Sequence, residues 1–245
     1  LPIVDEGQLT GIVTTADVMR LLRHDPIYLT AEFSRRNSPA ELKDAYSQAS
    51  EVAVRFIERG ASAEETSGIM TIAADSLARR LLKLGEEKFG APPVPYTFVV
   101  LGSQGRREMG LASDQDNAMV LSDDYDEAEH GKYFADLSEY VCQGLHTAGQ
   151  VLCPGDMMAS NPKWRVPLRE WGHYFTEWLN APEPDALLHA QTFFDMRPIH
   201  GDRLLYEQLQ TSVLSRAPRS TRFLAHLGRE AQRFQPPLGL FRDFV

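Results

Sequence analysis

The stretch from Val99 to Leu121, VVLGSQGRREMGLASDQDNAMVL, decides the fold of this chain. An apolar run ends in Gly102 and Ser103, a polar segment follows, and a second apolar run begins at Ala118, two residues after Asp116. Short apolar runs bounded by glycine and polar residues predict buried strands. The stretch therefore predicts two strands whose neighbouring ends carry a Gly-Ser turn and a pair of acids.

The first of these motifs, around Gly102 and Gly105, predicts a tight turn that opens a short helix. Glycine tolerates a positive φ and lets another group approach its backbone closely. Backbone N–H groups and the Ser103 hydroxyl at such a turn suit an anion, usually a phosphate, and Arg106 or Arg107 adds positive charge. An ordinary tight turn can have the same sequence, so the motif alone is not specific.

The second motif, Asp114 and Asp116, is more informative. In a segment that enters a strand, residues two apart point to the same face, roughly 7 Å apart along the chain. Two carboxylates there repel each other unless a cation or an arginine compensates their charge. Two interpretations stay open: a cation site beside a phosphate turn, as metal-dependent phosphoryl transfer requires, or a structural cluster neutralised by Arg106 or Arg107.

The amino-acid composition argues against several classes of protein. The 245 residues are 43% hydrophobic, which is enough for a buried core, and carry a formal net charge of -9. That charge argues against nucleic acid as the main partner, because such binding relies on Lys and Arg. The two cysteines, Cys142 and Cys153, do not make a disulfide framework or a clustered zinc motif, so a reducing cytoplasm is expected. No apolar run is long enough to cross a bilayer, and membrane partners are not expected.

The chain begins with a short segment, residues 1–24, that is too small to fold alone. It predicts strands at Leu1 to Val4 and Gly11 to Val13 and a helix from Ala16 to Leu22. Because it starts abruptly on a strand, we expect a fragment of a longer chain. Residues 25–90 then predict a helical hairpin, because each helix begins with a serine followed three residues later by glutamate, the pattern of a capping box. These serines are Ser38 and Ser62.

The proline-rich run Ala91 to Pro95 ends the helical pattern and marks a domain boundary. Beyond it, short β runs alternate with helices, so residues 91–214 predict an α/β (α+β) domain with a mixed sheet flanked by helices. The acidic run Asp123 to Glu127 is most simply a solvated loop. Residues 215–245 are rich in arginine and predict the start of a C-terminal helical domain.

The Val99–Leu121 stretch resembles the nucleotidyltransferase superfamily of DNA polymerase β type, whose motif is Gly-Ser, a short helix, and Asp-X-Asp on the next strand. Gly102–Glu108 together with Ser113–Asn117 is more similar still to bacterial nucleotidyltransferases related to PII uridylyltransferase. Asp195–Asp202 is similar to a downstream segment of that family. Leu1–Asp17 resembles the last strands and helix of a CBS domain, with a Thr-X-X-Asp that contacts a nucleotide ribose in that family.

The resemblance implies a polymerase β-type domain that moves a nucleoside monophosphate from an NTP to an acceptor hydroxyl, with pyrophosphate leaving. Asp114, Asp116 and Asp195 would be the catalytic residues and hold two Mg²⁺ ions, or Mn²⁺ in their place. Asp195 has no fixed spacing in the family, so it is alternatively a general base, a partner of Arg197 or a helix cap. The implied phosphate-binding residues are Gly102, Ser103, Gly105, Arg106 and Arg107.

The same resemblance implies partners and regulation. The acceptor would be a signal protein or a small molecule, and adenine nucleotides would regulate the full-length protein through CBS domains, which usually pair and would give a homodimer. A rival hypothesis is a regulatory module that has the same motifs but catalyses no reaction. It would bind NTP and Mg²⁺ and signal through its helices.

Overall fold

The computed structural model describes residues 1–5, 7–14, 26–180 and 192–231. The first elements are an antiparallel pair of strands, in which nearly every residue is exposed, and a group of three helices. These elements are β1 (Pro2–Asp5), β2 (Gln8–Ile12), α1 (Pro26–Ser34), α2 (Pro39–Glu58) and α3 (Ala63–Phe89). The helix predicted from Ala16 to Leu22 lies outside the described residues.

A second, four-stranded sheet lies at the centre of the fold, with the strand order β5-β4-β3-β6. Its strands are β3 (Tyr96–Val100), β4 (Asn117–Leu121), β5 (Arg165–Pro167) and β6 (Arg197–Gly201). Strand β3 pairs antiparallel with β4 and β6, whereas β4 pairs parallel with β5. The sheet is therefore mixed, and the predicted fold class is confirmed.

Helices complete the described part of the chain. They are α4 (Gly102–Arg106), α5 (Glu127–Ala148), α6 (Leu168–Asn180), α7 (Arg203–Arg216) and α8 (Thr221–Ala231), with short 3₁₀ turns at Pro162–Trp164 and Ala217–Arg219. Of the helices in these described ranges, none combines the length and the apolar character needed to cross a bilayer.

The sheet separates two apolar cores, because successive side chains of a strand point to opposite faces. Phe98 and Val100 of β3 belong to the first core, together with residues of α1, α2, α3 and α5. Val99 belongs to the second core, where Trp164 and Trp171 are almost fully buried. The helical hairpin therefore packs on the sheet that carries the Gly-Ser turn.

The predicted serines cap the two long helices, and the capping box is complete at Ser62. The Ser38 hydroxyl accepts a hydrogen bond from the Glu41 N–H at 3.3 Å, and Ser62 with Glu65 makes the reciprocal pair at the start of α3. Each cap satisfies N–H groups that the first helical turn leaves without a partner. Local sequence thus sets both starting points of the hairpin.

The C-terminal helices pack against the second core. Helix α7 continues through Arg216, past the boundary predicted at residue 214. In α8, Phe223 is 1% exposed and stacks on Phe194 with ring centroids 5.3 Å apart. The arginine-rich segment therefore contributes a core residue as well as a polar face.

Candidate active site and metal centre

The Gly-Ser turn follows β3 directly and depends on two glycines. Gly102 has a φ of +51°, a backbone conformation that favours glycine. A Cβ on Gly102 would lie 3.1 Å from Asp116 Oδ2, and a Cβ on Gly105 would lie 2.0 Å from the carbonyl oxygen of Asp195. The turn can therefore approach both the acidic pair and the downstream segment closely.

Ser103 follows at the start of α4, where it is half-buried. Its carbonyl oxygen accepts a hydrogen bond from the Glu108 N–H at 2.8 Å. Its hydroxyl has no hydrogen-bond partner within the ranges that the structure describes. The hydroxyl is thus available to a ligand that reaches the turn.

Asp114, Asp116 and Cys153 form an acid–thiol cluster, in which one ligand atom from each side chain lies within 4.8 Å of the others. A parallel bridge between Gln115 and Leu152 sets the register of the two segments. Asp116 follows Gln115 and Cys153 follows Leu152, so these two side chains point to the same face of the paired segments. Asp114, two residues before Asp116, points to that face as well. Backbone pairing therefore places the thiol beside the two carboxylates.

Two buried amide side chains hold this backbone in place from the other side. Gln115 is 1% exposed and donates to the carbonyl oxygens of Cys142 and Gln150 at 3.0 and 3.2 Å. Asn117, also 1% exposed, accepts a hydrogen bond from the Ala159 N–H at 2.8 Å. Because both amides are paired, they hold Asp114 and Asp116, the residues that alternate with them, on the opposite face.

The metal-free cluster is electrostatically unfavourable. Burial raises the pKa of Asp116, a hydrogen bond from Cys153 lowers it, and the charge of Asp114 raises it. Asp116 Oδ1 is buried and has no hydrogen-bond partner among the described residues. Burial, with the neighbouring Asp116, raises the pKa of Cys153 to about 11, so its thiol is protonated at neutral pH. A divalent cation would compensate the two carboxylates, and their oxygens are the donors that such a cation prefers.

Asp195, the predicted third carboxylate, is not a member of the acid–thiol cluster. Its Oδ2 atom accepts a hydrogen bond from Arg106 Nη1 at 2.5 Å, and Arg106 Nε donates to Glu108 at 2.8 Å. The bonds to Glu108 and Asp195 raise the pKa of Arg106. The structure thus pairs Asp195 with Arg106 rather than with Arg197, and a metal-binding role for Asp195 stays a prediction.

Arg197 holds the Gly-Ser turn in place through hydrogen bonds. It donates two hydrogen bonds to Asp75 of α3, at 2.7 and 3.0 Å, and others to the carbonyl oxygens of Gln104 and Gly105 at 2.8 and 3.2 Å. The Gln104 side chain also donates to Asp75, at 3.0 Å. This Asp75–Arg197 network satisfies carbonyl groups that the short helix leaves free and connects them to the hairpin.

A cleft of about 710 Å³ lies beside the network. Arg107, the residue at the end of α4 with a φ of +64°, lines it together with Arg79 and Arg197. The two predicted phosphate-binding arginines therefore have different surroundings: Arg106 is paired with Asp195, whereas Arg107 contributes to the wall of a positively charged cleft.

Two residues of this region escaped the sequence-based prediction. Cys153 was excluded together with Cys142, because neither lies in a clustered metal motif. Asp75 lies within an apolar helical face, between Ala74 and Leu77, where an acid requires a partner. That placement was the available signal for Asp75, whereas the proximity of Cys153 depends on a strand bridge that the sequence does not reveal.

Comparison with known families agrees with this geometry. Residues 47–185 match the family model described as "Putative nucleotidyltransferase DUF294". The matched range contains the Gly-Ser turn, the acid–thiol cluster and Asp75, and it ends before Asp195. No curated protein matches the chain.

Proposed function

This chain belongs to the family described as "Putative nucleotidyltransferase DUF294", and from that premise we propose that it moves a nucleoside monophosphate from an NTP to an acceptor hydroxyl. The observation that carries the proposal is the acid–thiol cluster next to Gly102, where Asp114 and Asp116 converge and a buried carboxylate oxygen lacks a partner. A turn suited to phosphate and a cluster suited to a cation are thus adjacent, which supports metal-dependent phosphoryl transfer.

In the proposed reaction, the acceptor oxygen forms a bond to the α-phosphorus and the bond from that phosphorus to the bridging oxygen breaks. Pyrophosphate leaves, and the hydroxyl proton passes to solvent. Asp114 and Asp116 would hold Mg²⁺, which neutralises charge on the triphosphate and activates the attacking oxygen. The cation requires both oxygen donors, so loss of both carboxylates should abolish binding of the metal–nucleotide complex.

The remaining roles belong to groups of the turn. The free Ser103 hydroxyl is placed to donate to a terminal phosphate. Arg106 and Arg107 add positive charge on different sides of α4, and they would stabilise the charge that develops as pyrophosphate leaves. The Asp75–Arg197 network would orient the turn through its hydrogen bonds to the Gln104 and Gly105 carbonyl oxygens.

We further propose a PII uridylyltransferase-like acceptor, a hydroxyl on a signal protein, and regulation of a longer chain by nucleotide-sensing CBS domains. The proposal is supported by the resemblance of Gly102–Glu108 and Leu1–Asp17 to those families. The β1 and β2 strands form the antiparallel pair that such a segment requires. Homodimerisation through CBS regions and a cytoplasmic location belong to the same proposal.

One observation favours a second candidate function, a module that binds NTP and metal without turnover. The third donor of the cluster is a thiol, while Asp195 is occupied by Arg106. A site with two carboxylates binds a metal–nucleotide complex even where it does not position a second ion for transfer.

Calorimetry with each of the four NTPs, with and without Mg²⁺, tests the proposal. The parent chain is compared with the double variant Asp114→Asn/Asp116→Asn, and Asp44→Asn serves as a matched control because Asp44 is exposed on α2. We expect Mg²⁺-dependent binding in the parent and control and none in the double variant. Binding that ignores both Mg²⁺ and the substitutions would contradict both candidate functions.

Turnover separates the two candidates. Parent protein incubated with the bound NTP and candidate acceptors is assayed for pyrophosphate release. Release that requires Asp114 and Asp116 supports the transferase, whereas metal-dependent binding without release supports the non-catalytic module.

A further inference from the structure

We propose that Cys153 is a ligand of the bound metal, so that the cluster takes a divalent transition-metal ion such as Mn²⁺ or Co²⁺ in preference to Mg²⁺. This inference rests on the proposed function, since it concerns the metal of the same site. It departs from the all-oxygen set expected from the sequence, in which Asp195 was the third ligand.

The geometry provides the first argument. The Cys153 sulfur lies within 4.8 Å of a carboxylate oxygen from both Asp114 and Asp116, a spacing that one ion can span. Asp195 lies outside this group and is held by Arg106 at 2.5 Å. Within the described residues, the thiol therefore has the position that a third carboxylate would need.

The backbone provides the second argument, because it fixes the thiol in that position. The Gln115–Leu152 bridge sets its register, and the Cys153 carbonyl oxygen accepts a hydrogen bond from the Asp156 N–H at 3.0 Å. Cys153 is 7% exposed, so its sulfur is shielded from bulk solvent while it faces Asp116. A ligand held by paired backbone loses little conformational freedom when a metal binds.

The chemistry of the ligand atoms then determines which ion the cluster prefers. Mg²⁺ prefers oxygen ligands in near-ideal octahedral geometry, whereas sulfur ligands favour softer transition metals. On binding, the S–H bond breaks, the proton leaves to solvent, and the sulfur binds the metal as a thiolate. The resulting set of two carboxylates and one thiolate is mixed, so it should discriminate against Mg²⁺.

Cobalt is the probe, because a thiolate bound to Co²⁺ gives a near-ultraviolet charge-transfer absorption that oxygen ligands do not give. The full chain is titrated with Co²⁺ as parent, as Cys153→Ser and as Cys142→Ser. Cys142 is a matched control, since it is the only other cysteine in the sequence and is also buried. We expect the band in the parent and in Cys142→Ser, and no band in Cys153→Ser.

Competition between Mn²⁺ and Mg²⁺, measured by calorimetry, gives a second readout. The preference of the parent for Mn²⁺ should fall by at least about tenfold in Cys153→Ser, a loss typical even of an outer-shell partner. If Cys153→Ser does not fold, Cys142→Ser still assigns the band, because it retains only the Cys153 thiol.

The outcomes separate this inference from the proposed function. Metal binding that requires the two aspartates but shows no charge-transfer band, and an unchanged metal preference in Cys153→Ser, would overturn the inference and leave the transferase proposal intact. A parent chain that binds none of the three metals would overturn both.

Discussion

At the scale of single residues, Asp116 illustrates a conflict between stability and ligand binding. Its Oδ1 atom is buried and has no partner in the part of the chain that the structure describes, and burial raises the pKa of the carboxyl group. We predict that Asp116→Asn stabilises the metal-free protein at neutral pH by about 1 kcal/mol, since an unsatisfied buried group costs about that much. In a thermal melt this corresponds to an increase in Tm of about 2 °C for a chain of this size.

The pH dependence of that effect has a defined sign. Because the folded-state pKa of Asp116 is raised, its carboxyl group stabilises the fold when protonated, and this stabilisation is lost as the pH rises through the folded-state pKa. The gain in stability of Asp116→Asn over the parent should therefore become smaller as the pH falls. A gain in stability that is equal at all pH values would contradict this electrostatic origin. The same gain in the control Asp44→Asn would contradict it as well.

Gly105 makes a steric prediction at the same scale. In Gly105→Ala the new Cβ would meet the Asp195 carbonyl oxygen at 2.0 Å, so α4 and the segment that precedes β6 must separate. Overpacking of this kind costs about 1 to 3 kcal/mol. We expect a lower Tm and weaker NTP binding, measured by thermal melts and calorimetry.

Gly110→Ala is the matched control, because its new Cβ would lie 3.7 Å from the nearest atom, Ser113 Oγ. Equal losses in the two variants would show that the turn region tolerates no alanine, rather than that close approach to Asp195 matters.

The candidate-site residues that the sequence indicated follow one another along the chain. Gly102, Ser103, Asp114 and Asp116 are recognisable because turn chemistry and strand alternation are local properties. Cys153 and Asp75 were not found, because each reaches the site through pairing or packing between distant segments. A local pattern has no information on such contacts.

At the scale of elements, the Asp75–Arg197 network connects α3, α4 and β6. Asp75 is 7% exposed and accepts hydrogen bonds from both Arg197 and Gln104. We predict that Asp75→Asn destabilises the fold by about 3 kcal/mol, because removal of one partner leaves a buried charge uncompensated. Chemical denaturation measures this change.

The double variant Asp75→Asn/Arg197→Met is compared with the two single variants in a double-mutant cycle. We expect it to recover part of the loss, since the uncompensated guanidinium is then absent. Strictly additive losses would show that the two side chains do not stabilise one another.

The elements themselves were more predictable than their arrangement. Capping boxes and apolar periodicity predicted α2 and α3, and short apolar runs bounded by glycine and polar residues predicted β3 and β4. Strand β6 differs from them, because its β-structure is set by pairing with β3, which is a tertiary interaction.

At the scale of the whole molecule, the C-terminal helices belong to the core. We predict that a chain ending at residue 214 loses at least about 3 kcal/mol, because burial of Phe223 against Phe194 is lost. It should melt at a lower temperature and bind a dye specific for exposed apolar surface. A chain ending at residue 231 retains Phe223 and is the control. Equal stability of the two chains would instead support an independent unit after residue 214.

The Asp75–Arg197 network also has a consequence for the order of assembly. Its partners are 122 residues apart, and Arg106 and Asp195 are 89 residues apart. Contacts of such separation form late, since the chain between them must first be ordered. A nascent chain that has emerged only as far as Cys153 holds every residue of the acid–thiol cluster but lacks the support of the turn. The support of the turn is therefore complete only after synthesis has passed Arg197.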